Sequence, residues 1–182
     1  MTRSPGSPTL AGFVVAAALL AGCKSDSKSP AGKSGESAAH GGAGSAASGA
    51  SVAQAASQVK NPCSVMPTDL VKQHIPDAAA PQQGPEPSHC SMSNGTSVVE
   101  ITMSGGFGEP DAPSPSQTVA GVGEKAWVQE QQADDAYVVV FLGKDAQGSY
   151  RSLFVEYAGH DGKSHRDDAI AIARQIISTL HS

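Results

Sequence analysis

The sequence predicts an α+β domain, an antiparallel sheet of about four or five strands with an N-terminal and a C-terminal helix packed on one face. Three observations carry this. Thr96 to Met103 alternates, with Val99, Ile101 and Met103 on one side and Val98, Glu100 and Thr102 on the other. Period two is the mark of a half-buried strand. Tyr137 to Leu142 is a continuous apolar run of the kind a central strand shows. Ala169, Ile172, Ala173, Ile176, Ile177 and Leu180 recur at helical spacing and form one apolar stripe. Strands grouped between two helices place the chain in the α+β class.

The remaining elements follow in chain order. Pro67 fits the start of a helix, where its missing N–H costs nothing, and Asp69 sits in the first turn where the dipole favours an anion. Leu70, Val71, His74 and Ile75 continue that helix and Pro76 stops it. Asp77 to Pro87 reads as loop, and Ser88 to Ser93 as a strand around Cys90. Asn94-Gly95 is a strong hairpin signal. Ser104 to Gln117, rich in Gly, Pro and Ser, predicts an exposed loop. Thr118 to Gln131 reads as a strand broken at Gly121 and Gly123 that resumes at Lys125 to Gln129. Gly143 to Gly148 is a hairpin loop, and Ser149 to Ala158 is the partner strand, with Leu153, Val155 and Tyr157 on one face. Ser164 is a good N-cap for the last helix, with Asp167 three residues on.

Upstream of this domain the residues describe an address. Met1 to Thr9 is short and polar and carries Arg3; Leu10 to Ala21 is continuously apolar or small. This is the layout of a secretory signal peptide over residues 1–22. The run is too short for a spanning helix, which needs roughly 20 apolar residues. Leu20-Ala21-Gly22-Cys23 resembles the bacterial lipobox. The resemblance implies lipidation of the Cys23 thiol, cleavage before Cys23, and a protein held at the cell membrane facing outward. Two or three acyl chains anchor stably where one does not. Residues 23–60 are expected to be a disordered tether. From Lys24 to Lys60, ten residues are Ala, nine Ser and six Gly, and the only larger apolar residues are Val52 and Val59. Such a chain spans about 33 Å end to end. A nascent helix over Ser51 to Gln58 is the rival reading, and at that length it is marginal alone.

The globular domain is expected over residues 61–182. It holds seven Lys and Arg against fifteen Asp and Glu, an acidic balance that argues against nucleic acid and against a polybasic membrane grip. With Cys23 given to lipid, Cys63 and Cys90 remain, and outside the membrane an even pair reads as a disulfide.

Asn61-Pro62-Cys63-Ser64-Val65-Met66-Pro67 resembles the opening of an actinomycete-type lipoprotein family, domain of unknown function 3558. Cys90 matches that family's second cysteine, and Gly121-Val122-Gly123-Glu124-Lys125-Ala126-Trp127 is similar to its Gly-x-Gly-acidic approach to a strand. The resemblance implies a surface lipoprotein with no assigned reaction, and it supplies no catalytic residues.

The sequence has no Gly-x-Ser-x-Gly, His-Glu-x-x-His or Gly-x-x-x-x-Gly-Lys motif. His160, Asp161 and His165 are suitable transition-metal ligands by type, but a turn leading into the last helix explains them more simply. Met66, Met92 and Met103 lack close spacing and read as core filling. Phe107 on a Gly-rich loop reads as a tucked ring, with a partner-binding tip as the rarer alternative. Trp127 is expected to pack in the core or cap a groove. The expected function is therefore non-catalytic, with no cofactor and no metal: an envelope lipoprotein that binds a protein partner or a small ligand. The alternatives are an escort subunit of another exported protein and, less favoured, a wall-acting hydrolase.

Overall fold

In the computed structural model the described residues are 47–106 and 108–182. The expected signal peptide, Leu20, Ala21, Gly22, Cys23 (the expected site of the lipid) and the expected tether up to residue 46 lie outside the described residues, as does Phe107. Among the described residues no helix is long and apolar enough to cross a membrane.

The first element is a helix, α1 (Ala47–Gln58). It corrects the expected boundary at residue 61, because the tether's last third belongs to the fold. Val52, Ala53 and Ala56 are buried in the core, and Gln54 Oε1 accepts a hydrogen bond from the Ala146 N–H at 2.9 Å. A dozen Ala- and Ser-rich residues are marginal alone, and packing one face against a sheet is what makes such a helix persist. A 3-10 turn (Pro62–Val65) and α2 (Thr68–His74) follow.

The strands are β1 (Gln82–Gln83), β2 (His89–Ser93), β3 (Val98–Gly106), β4 (Gln117–Thr118), β5 (Lys125–Gln132), β6 (Asp135–Lys144) and β7 (Tyr150–Ala158), with α3 (Arg166–Leu180) last. They form one seven-stranded sheet in the order β1-β2-β3-β7-β6-β5-β4, antiparallel throughout. Seven replaces the expected four or five because β1 and β4 are two-residue edges, too short to show a period. The chain runs as two meanders, β1 to β3 and β4 to β7. They are sewn together where β3 pairs β7 from Val98–Ala158 to Gly106–Tyr150. Edges this short offer little backbone for another strand to join.

The hairpins follow their sequence signals. Asn94 Oδ1 accepts hydrogen bonds from the Thr96 and Ser97 N–H groups, and Gly95 takes the left-handed φ of 89°. Gly123 is required by close approach as well as by its φ of 62°. A Cβ there would lie 2.6 Å from Val140 Cγ1 and 2.7 Å from the Phe141 carbonyl oxygen.

One face of the sheet is closed by helices. Val99 and Ile101 of β3, Ala126 and Val128 of β5, Val138, Val140 and Leu142 of β6, and Leu153, Val155 and Tyr157 of β7 point into this core. From α3 come Ala169, Ile172, Ala173, Ile176, Ile177 and Leu180, all buried. The helices laid on the strands are α1 and α3, which also touch one another. The helix expected to share that role, α2, instead sits against α3 and sends Val71 and Ile75 into the core. Cys63 and Cys90 are joined, with Cα atoms 5.2 Å apart, which pins the 3-10 turn to β2.

The start of α3 departs from expectation. His165, not Ser164, occupies the N-cap position, and it makes no side-chain cap. Ser164 Oγ donates to Glu130 and accepts only a long hydrogen bond, 3.4 Å, from the Arg166 N–H. The reason is packing, because the His165 ring is drawn under Tyr157, with centroids 4.1 Å apart and planes 13° from parallel.

Candidate functional site: the open face of the sheet

Strand alternation sends every second residue to the face away from the helices. The register names them. One row across the sheet reads His89, Thr102, Phe154, Val139 and Trp127; the next reads Ser91, Glu100, Glu156, Tyr137 and Gln129. A third carries Ser152, Phe141 and Lys125. The described residues hold six aromatic side chains, and five of them (Trp127, Tyr137, Phe141, Tyr150 and Phe154) lie on this face. Only Tyr157 joins the helix-side core.

The rings form two packed pairs. Tyr137 and Phe154 stack with centroids 6.0 Å apart, and Phe141 and Tyr150 lie 5.7 Å apart. Lys144 Nζ sits 4.6 Å above the Tyr150 ring, a cation–π contact. These pairs bury Val139 and Phe141, so β6 is apolar on both faces, which is why its sequence reads as an unbroken run.

Beside the first pair is a shallow basin of about 270 Å³, lined by Glu100, Thr102, Tyr137, Phe154 and Glu156. Glu100 and Glu156 are direct cross-strand neighbours on β3 and β7. Like charges so placed destabilise a sheet. His89 Nε2 lies 3.3 Å from Glu100 Oε2. Glu156 has no ion-pair or side-chain hydrogen-bond partner among the described residues. Burial pushes its carboxyl above the ordinary range, helped by the charges of Glu100 and Asp135 and opposed by His89. Burial also raises the Tyr137 phenol, with Glu156 adding to the effect. A second hollow continues from Glu100 past Ser91, Ser93, Ser97 and His160.

Two other polar clusters are structural. The His165 ring nitrogens face Asp161 Oδ1 at 3.0 Å and Asp168 Oδ2 at 3.3 Å, and Asp168 Oδ1 also meets His74 Nδ1 at 3.1 Å. The Tyr157 hydroxyl donates to the His74 carbonyl at 3.3 Å, and burial with the nearby Asp168 and Asp161 pushes this phenol up to about 12. The cluster ties β7, α2 and the start of α3 together. Both imidazole nitrogens are occupied by carboxylates, so neither is placed to take a proton from a nucleophile. His165 is thus turned inward, and no metal-binding group of three or more ligands exists among the described residues. Asp145 organises the β6–β7 loop: burial would raise its carboxyl, but Arg151 and the N–H groups of Ser149 and Gln147 outweigh that and hold it low.

No family model matches the chain, and no curated protein or solved structure matches it either.

Of the residues singled out by sequence, the structure joins Cys63 to Cys90 and leaves Met66 and Met92 in the core. It places Trp127 on the open face. Sequence reasoning missed the basin. The signal was the second phase of the strands: Glu100 and Thr102, Tyr137, Phe154 and Glu156 all alternate with core residues, and that phase reads as a polar or neutral outside.

Proposed function

We propose that the chain is an exported lipoprotein of the cell envelope that binds a protein partner, without catalysis, through the open face of its sheet. In this reading residues 1–22 are removed, Cys23 carries the lipid, and the domain faces outward from the cell membrane. Kinship with the lipoprotein family of domain of unknown function 3558 belongs to the same proposal. It is supported by Pro62-Cys63-Ser64, by Cys90 and by the Gly121 to Trp127 segment.

The observation that carries the binding reading is the placement of five aromatic rings and an acidic pair on the face that none of the described helices covers. Aromatic residues are enriched where proteins meet. A basin of about 270 Å³ open to solvent suits one side chain of a partner better than an enclosed small molecule, whose sites run from roughly 300 to 1,000 Å³. The test is site-specific photo-cross-linking in intact cells from Tyr137, with Gln175 on α3 as the comparison. Capture of a discrete envelope protein from Tyr137 alone supports the reading; equal or no capture from both positions overturns it. Treatment with globomycin tests the anchor, since loss of processing is expected if Cys23 is lipidated.

A wall-acting hydrolase is the second reading, and one observation favours it. Paired carboxylates, one of them raised, are what glycoside hydrolysis uses. Against it, Glu100 is engaged by His89 and the basin does not enclose a sugar ring. Release of sugars from purified wall by the full chain, lost in E156Q, would establish it.

A further inference from the structure

Resting on the open face as the docking surface, we propose that the basin receives an arginine side chain from a basic segment of the partner protein, its guanidinium held by Glu100 and Glu156 and its plane laid against Tyr137 and Phe154. Four features converge on a cation. The two carboxylates are forced together by the β3–β7 register and are not neutralised by any Lys or Arg of the described residues. The lysines of this face are committed elsewhere, Lys125 to Glu109 and Lys144 over Tyr150, and His89 reaches only one oxygen of Glu100, leaving Glu156 unpaired among the described residues. The basin walls are a stacked ring pair, and ring faces attract cations. Residues 61–182 carry seven basic against fifteen acidic residues, so a basic partner is drawn to the domain at a distance. Arginine suits the site because its planar fork bonds carboxylates and stacks on rings at once.

The same charges disfavour a second copy, which would bring another acidic face against this one. They leave one rival within the chain, the segment holding Lys24, Lys28 and Lys33.

Trp127, the only tryptophan, pairs with Val139 on this face and reports on it directly. The experiment is a titration of the full chain, followed by Trp127 fluorescence, with a triarginine peptide and with its citrulline counterpart of equal shape and no charge. The inference expects saturable binding of the arginine peptide, at least about tenfold weaker binding of the citrulline peptide, and a similar loss in E156Q. E156Q removes a like charge from the sheet, so its loss of binding cannot come from unfolding. Equal binding of both peptides, or none, overturns the inference. If Tyr137 still captures a partner in cells, the docking surface stands without the cation; if it captures none, both fall. Tighter peptide binding by the K24Q/K28Q/K33Q chain would make the chain's own segment the occupant and overturn the partner.

Discussion

The two faces of the sheet are built from the same strands and do opposite work. On the helix side, β3, β5, β6 and β7 present Val, Ile, Leu and Ala, and α1 and α3 seal them from water. Its one aromatic among the described residues, Tyr157, spends its hydroxyl on the His74 carbonyl. On the open side the same strands present aromatic rings and a repelling carboxylate pair. Small aliphatic residues fill an interlayer gap at high density. Large rings with polar rims suit a surface that is sometimes wet and sometimes covered. The difference teaches that the stable core and the proposed docking surface are separated by strand phase, one residue apart.

Neighbouring residues on β7 give the sharpest test of that separation. Leu153→Ala empties a fully buried site and should cost about 4 kcal/mol in urea unfolding. Phe154→Ala, on the other face, should cost less and should instead weaken capture at Tyr137. Equal losses of stability would break the comparison. Next in size, the C63S/C90S pair should lose about 3.5 kcal/mol by the chain-entropy argument for a bridge closing 27 residues. That loss should leave docking at the open face unchanged. Tyr157→Phe should cost about 1 kcal/mol, the net worth of one hydrogen bond, read from the same unfolding curves.

The smallest effect has the opposite sign. Glu156 is raised in the folded chain, so it destabilises at neutral pH, and that penalty disappears as pH falls through its folded value into the ordinary carboxylate range. E156Q should therefore be more stable than the parent near pH 7, by less than about 1 kcal/mol because the group is partly exposed. The gain should vanish in acid. Asp145 is lowered, so its contribution is present above the ordinary aspartate range and is lost as pH falls through its folded value. D145N should accordingly be destabilised near pH 7 and converge with the parent in acid. Unfolding curves collected across this range check both signs.

Much of the helix-side core was legible in the residues. Val99, Ile101, Leu153, Val155 and the α3 stripe repeat with the period of their element, and burial follows from period alone. So did the Cys63–Cys90 bridge and the turns at Asn94-Gly95 and Gly143 to Gly148. The missing strands, β1 and β4, are two residues each and acquire strand geometry only by pairing with β2 and β5. Helix α1 was read only as the rival to a tether, a nascent helix over Ser51 to Gln58, for a related reason. Val52, Ala53 and Ala56 have little area each, and their small size matters only against β6 and β7.

The basin was unreadable because its parts are far apart in the chain. Glu100 and Glu156 are ordinary acids in two separate strands, and nothing local says that the free side of β3 will pair β7 rather than β4, the next strand in sequence. Period and turn chemistry are short-range properties, and they determined the class of fold, the inward residues and the bridge. Long-range pairing is set by the whole sheet closing at once. It alone decided which rings stack, which charges oppose, and which face was left open.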